Sequence, residues 1–158
     1  MTDRSVTHAI FTIERTYDVP PARAFAAFSS EKQKQRWFSG SSEWELLERQ
    51  FDFTPGGIER LKGRWPNGTV SYFDCRYQDI VPGERIVYVY NMHIDDRMIS
   101  VSLATIEFKP AGAGRTKLIL TEQGAYLDGY DDAGSREHGT NYLIDKMGAT
   151  LQDEADDA

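Results

Sequence analysis

The side chains able to do acid–base, thiol or metal chemistry are few: three histidines (His8, His93, His138), one cysteine (Cys75) and a set of strand-borne carboxylates. A metal held on one helix face needs two histidines four apart, as in H-E-x-x-H, and no such run exists. A single cysteine allows neither an internal disulfide nor a cysteine-based zinc site. No metal is therefore expected. His8 opens an alternating segment and is expected to be exposed. His138 lies near the start of the last helical segment and reads as a solvated cap residue. His93 closes the run IVYVYNMH, where it is either a hydrogen-bonded strand-end histidine or a polar contact or general base at a cavity mouth. Tyr88 in the same run is the second candidate for a catalytic role. Glu107 and Glu122 fall on neighbouring predicted strands. They read as an acid/base pair or, by default, as members of exposed cross-strand ion pairs with Arg76, Arg85, Lys109 and Lys117. Cys75, inside a strand, reads as a small buried hydrophobe. The nucleophile elbow G-x-S-x-G, the P-loop and the dinucleotide fingerprint are all absent, so no cofactor is expected.

Aromatic residues offer more. They are numerous for a chain of this length, and Tyr and Trp each combine a large apolar face with one polar handle. The inward-pointing ones either fill the core or line a cavity. The expected ligand-binding set is Trp37, Phe38, Trp65, Tyr72, Tyr88, Tyr90, Met92 and His93, with Asn141, Ile144 and Met147 from the last helix beside Leu143.

Elements must place these residues. Residues 7–18 alternate apolar and polar side chains, the period of a half-buried strand. Pro20 and Pro21 then open a short helix over 21–29, proline being tolerated in a first helical turn. A second short helical turn spans 31–38. Six strands follow, at about 44–53, 58–65, 69–81, 85–94, 98–109 and 115–123, separated by Gly, Pro, Asn and Asp turns. Asn67-Gly68 between two of them predicts a type I′ hairpin turn. Residues 124–135 are turn-rich. The segment from 135 to about 151 carries Leu143, Ile144, Met147 and Leu151 on one helical face. Sequential strands joined by short turns are antiparallel. The fold class is thus α+β, a curved antiparallel sheet of six or seven strands around a long C-terminal helix, with two short helices after the first strand.

Length and composition set the outer limits. The chain has 158 residues, 40% hydrophobic and 27% charged, as expected for one globular domain. It is structured over about 7–152 and ends in an acidic tail at 152–158. With 25 Asp and Glu against 18 Lys and Arg, its net charge is −7, which argues against phosphate-backbone binding to nucleic acid. No run is long enough for membrane insertion, and the N-terminal residues lack the apolar core of an export signal. Together with the lone cysteine this predicts a cytoplasmic location.

The order of motifs resembles a known family. The opening IERTYDVPPARAFAAFSSEKQKQRWF, with Pro20, Pro21, Phe25, Trp37 and Phe38, is similar to the start of Hsp90-ATPase-activator-homologue-like (AHSA1-like) proteins. So are FDFTPGG, Gly63 with Asn67-Gly68, the turn from Pro82 to Arg85, and the stretch from Ala104 to Gly124. The closing helix departs from the family, with Gly139-Thr140-Asn141-Tyr142 where many members carry Gly-Trp. The resemblance covers about 8–152 and implies the helix-grip fold of the START/polyketide-cyclase (SRPBCC) superfamily, whose cavities serve lipid binding, polyketide cyclisation and hydrolysis. The reading that results is a binder of a small apolar or amphipathic molecule between sheet and last helix. The alternatives are a cyclase- or hydrolase-type enzyme using the same cavity, and a co-chaperone-like module for an Hsp90-type partner. The last follows from the resemblance alone. An exposed strand edge would allow a homodimer.

Overall fold

A computed structural model describes residues 3–40 and 42–157, with side chains through Asp153. Met1, Thr2 and the last residue of the acidic tail lie outside the described residues. The elements are β1 (Val6–Tyr17), α1 (Pro21–Ser29), α2 (Glu31–Gln35), β2 (Glu45–Phe51), β3 (Ile58–Arg64), β4 (Val70–Val81), β5 (Arg85–Ile94), β6 (Arg97–Pro110), β7 (Thr116–Leu127) and α3 (Ala133–Asp157). The strands form one antiparallel sheet in the order β1-β7-β6-β5-β4-β3-β2. Only β1 crosses over; every other neighbour is the next strand in sequence. This is the expected α+β helix-grip architecture.

Alternation decides which side chains face the helices. On β7 the buried series is Leu118, Leu120, Glu122, Gly124, Tyr126, and on β6 it is Ser100, Ser102, Ala104, Ile106, Phe108. The inner face of β6 is therefore bulky at Ile106 and Phe108 and small at Ser100, Ser102 and Ala104. Phe25 and Phe28 of α1 close over the bulky end, edge-on to Phe108 at 5.4 and 5.7 Å between ring centres. Ile144, Met147 and Leu151 of α3 bury themselves in the same core as Phe11 and Ile13 of β1. Burial of such side chains supplies about 25 cal/mol per Å² of apolar surface removed from water. Arg15 of β1 clasps the helix, with its Nε 3.0 Å from Asp145 Oδ1 and its Nη2 donating to Asn141 Oδ1 at 2.7 Å.

Three expectations are corrected. The β3–β4 loop is not type I′. Gly68 donates to Trp65 O at 2.8 Å and the Trp65 N–H to Thr69 O at 2.8 Å, with positive φ at Gly68 alone. Pro66 fixes φ near −65°, which a type I′ turn cannot accept, so the loop is a type I turn closed by a glycine bulge. β7 does not end at 123 but runs to Leu127, still paired with β1 and β6. Finally, α3 runs from Ala133 to Asp157, longer at both ends than the expected 135 to about 151.

Candidate functional site

A cavity of about 590 Å³ opens between the sheet and the helices, walled by β3–β5 and β7, by α2 with the chain after it, and by the first half of α3. The register explains its walls. On neighbouring strands Glu122 stands opposite Ala104, which stands opposite Tyr88, then Tyr77; two inward rows further on, Tyr126, Ser100, Met92, Phe73 and Leu61 line up.

Of the side chains expected to contact a ligand, Trp37, Phe38, Trp65, Tyr88, Tyr90, Met92 and Ile144 do line this space. Four do not. Tyr72 faces the other side of the sheet because its neighbour Phe73 takes the inward position on β4. His93 pairs with Tyr72 on that outer face, ring centres 5.7 Å apart, beyond an irregularity between Met92 and His93. Asn141 is spent on the Arg15 contact and on Glu137 O. Met147 is fully buried one turn past the lining, within the core. His8 and His138 are exposed. Glu107 and Glu122 are not paired: Glu107 lies opposite Ile119, with Lys109 at 3.5 Å, while Glu122 points inward.

Arg136, Lys34 and Glu59, none of them singled out from the sequence, join Glu122, Tyr88 and Tyr90 in carrying the polar chemistry. Arg136 of α3 reaches over the serines of β6. Its Nη1 donates to Tyr90 Oη at 2.9 Å and lies 3.5 Å from Ser102 Oγ; its Nη2 donates to Ser100 Oγ at 2.7 Å and to Asp131 Oδ2 at 2.8 Å. The Tyr90 hydroxyl donates onward to Glu122 Oε2 at 2.9 Å, and Arg136 Nη1 is 3.8 Å from the same oxygen. Burial raises the Glu122 carboxyl above its ordinary value, with Arg136 and hydrogen bonds from Tyr90 and Ser102 opposing the shift. Burial likewise raises the hydroxyls of Tyr88 and Tyr90, and the nearby Glu122 charge adds to both. A second buried group comes from α2, whose N-cap Ser30 accepts from the Gln33 N–H. Lys34 Nζ sits 2.5 Å from Glu59 Oε1 of β3 and 4.7 Å from the centre of the Phe38 ring. The Tyr77 hydroxyl donates to the same Glu59 oxygen. Lys34 lines the cavity, whereas Glu59 backs it.

Parity gave a signal for both carboxylates. Glu122 shares its face with Leu118 and Leu120, and Glu59 with Leu61. Burial also pushes the Cys75 thiol up to about 12, which leaves it a protonated, inert core group. Among the described residues no group of three His, Cys, Asp or Glu side chains is placed to hold a metal ion.

Trp44 owes its place in the wall to a glycine. A Cβ on Gly63 would come within 1.8 Å of the indole. Gly63→Ala is expected to displace the ring and cost about 1–3 kcal/mol of stability, as overpacking does. Tryptophan emission should shift to the red and the urea midpoint should fall. An unchanged spectrum and midpoint would refute this packing.

The family model for Activator of Hsp90 ATPase homolog 1-like protein matches residues 18–152. The chain belongs to that family. Solved structures are similar to this chain in fold. A protein of Rhizobium leguminosarum is 42% identical with a TM-score of 0.90, over 96% of this chain and 99% of that one. The Mll3558 protein of Rhizobium loti is 41% identical with a TM-score of 0.85, over 92% and 99%. An AHSA1-like protein of Aeromonas hydrophila shares the fold at 15% identity, with a TM-score of 0.68 over 93% and 94%. No curated protein matches the chain. No helix among the described residues is long and apolar enough to cross a membrane.

Proposed function

We propose that the protein binds a small amphipathic molecule in the cavity between the sheet and the first half of α3. Family and fold support a ligand-binding or co-chaperone-type module in general. The observation that carries the finer reading is the cavity itself. Its volume of about 590 Å³ lies within the ordinary range for small-ligand sites, its walls are mainly aromatic and aliphatic, and a few fixed polar groups converge on it. Apolar surface drives entry and the polar groups set orientation. The cytoplasm is the proposed location.

Native mass spectrometry of gently purified protein, set against its denatured mass, tests this. The expected result is a reproducible adduct of a few hundred daltons that is lost on denaturation. Leu143→Trp, which fills the cavity from α3, should abolish it while thermal unfolding stays cooperative. No adduct, together with no thermal shift across a panel of lipids and polyketide-like aromatics, would overturn the reading and favour a co-chaperone-like role.

A second reading has one observation behind it. A buried carboxyl of raised affinity for its proton, Glu122, and Tyr88 line the same space. Such groups suit general acid–base work, so a cyclase- or hydrolase-type reaction is the alternative. Turnover of a bound aromatic polyketide mimic, lost in Tyr88→Phe with binding retained, would favour it.

A further inference from the structure

We propose that the ligand's polar end is a cation, such as an alkylammonium group, and that the cavity discriminates against anionic amphiphiles such as fatty carboxylates. This rests on the ligand-binding reading above and names the class of molecule that reading leaves open.

Three observations carry it. First, the cavity's own cations are already engaged by protein groups. Recognition of a carboxylate or phosphate uses the paired N–H fork of an arginine. Both Nη groups of Arg136 are already committed, to Tyr90 and Ser102 on one side and to Ser100 and Asp131 on the other. Lys34 is held by Glu59, with Tyr77 Oη at 3.4 Å. Second, carboxylates stand beside the cavity's cations. Among the described residues Lys34 pairs with Glu59, and Arg136 with Glu122 and Asp131. Glu122 and Asp131 both lie in the lining. Their side chains are 3% and 19% exposed, so water screens them weakly and an incoming anion meets their field. Third, the walls already hold cations by ring faces. Lys34 Nζ lies 4.7 Å from the Phe38 ring centre, and the Arg136 guanidinium carbon lies 5.6 Å from those of Tyr90 and Tyr126. The Trp44 and Trp65 rings line the same cavity, and among the described residues no cationic side chain covers either. Tryptophan faces are the strongest cation–π acceptors.

Isothermal titration with three probes sharing one decyl tail, each below its micellar concentration, decides the matter: decyltrimethylammonium, decanol and decanoate. The expected order is cation, then alcohol, then carboxylate, with the cation about tenfold tighter than the alcohol. Leu143→Trp should abolish binding of all three, which locates the site. Asp131→Asn keeps an acceptor for Arg136 while removing a charge, and should narrow the gap between cation and alcohol. Decanol binding as tightly as the cation, or decanoate binding more tightly than decanol, would overturn the proposal and leave the ligand-binding reading standing. Cation binding that survives Leu143→Trp would be attraction to the acidic surface and would overturn it too. If none of the three binds, this proposal is overturned, while the ligand-binding reading stands or falls on the adduct and thermal-shift test above.

Discussion

Lys34→Met is expected to lower the free energy of unfolding by about 3–5 kcal/mol, the usual consequence of stranding one partner of a buried ion pair. The side chains of Lys34 and Glu59 are only 8% and 3% exposed. Without the ammonium, Glu59 retains the Tyr77 hydroxyl as a donor but no opposite charge. Methionine keeps the apolar stem against Phe38 and Trp37, so the loss isolates the charge rather than the packing. The measurement is urea unfolding, in which the midpoint should fall while its slope stays constant. Adding Glu59→Gln should restore much of the loss, because glutamine accepts from Tyr77 without needing a counter-charge. A Lys34→Met cost no larger than that of a surface ion pair, about 0–1 kcal/mol, would mean that the pair is solvated in effect. The polar frame beneath the cavity would then be misassigned.

This pair also marks the boundary of what the sequence reveals. The strands were legible because alternation and turn chemistry are local: Pro82-Gly83 and Asp95-Asp96 interrupt β-branched, aromatic runs. The double proline announced α1, and the spacing of Ile144, Met147 and Leu151 announced the buried face of α3. Half of the site followed, since inward aromatics on β5 sit at a fixed parity. The polar half did not. Lys34 stands among Lys32, Gln33, Gln35 and Arg36, and no local pattern separates it from a solvated neighbour. Its burial depends on Glu59, 25 positions away, being inward at the same spot. Arg136 gains its partners from the distant β5 and β6 and, locally, from Asp131 in the preceding loop. Glu122 did carry the parity signal, but the general rule that carboxylates face water pointed the other way. Gly124 reads as a break, yet in the folded chain it makes room for Tyr126, whose ring a Cβ would meet at 3.0 Å. Where a residue's role is set by a partner across the sheet, periodicity supplies the face but not the reason for being on it.

Glu122 provides the second large effect, through pH. Burial raises its folded-state pKa above 4.5, its ordinary value. The folded protein therefore keeps this proton at a pH where the unfolded chain has lost it. The stabilisation that follows is complete below the ordinary value and is lost as pH rises through the raised one. Relative to Glu122→Gln, which cannot titrate, the native protein should lose stability with increasing pH across that window, with a slope of at most about 1.4 kcal/mol per pH unit. Parallel urea titrations of the two proteins at a series of pH values measure the difference. Arg136→Met should widen the window upward, since removing the nearest cation leaves burial unopposed. It should also cost about 3–5 kcal/mol above that window, where the ionised carboxylate has no counter-charge. A native protein that instead gains on Glu122→Gln as pH rises would mean that Arg136 outweighs burial and that the carboxylate is charged throughout. A cationic head group in the cavity acts in the same direction as Arg136, holding Glu122 ionised. The pH slope should therefore flatten when decyltrimethylammonium is bound, linking the titration of this one side chain to the chemistry of the ligand.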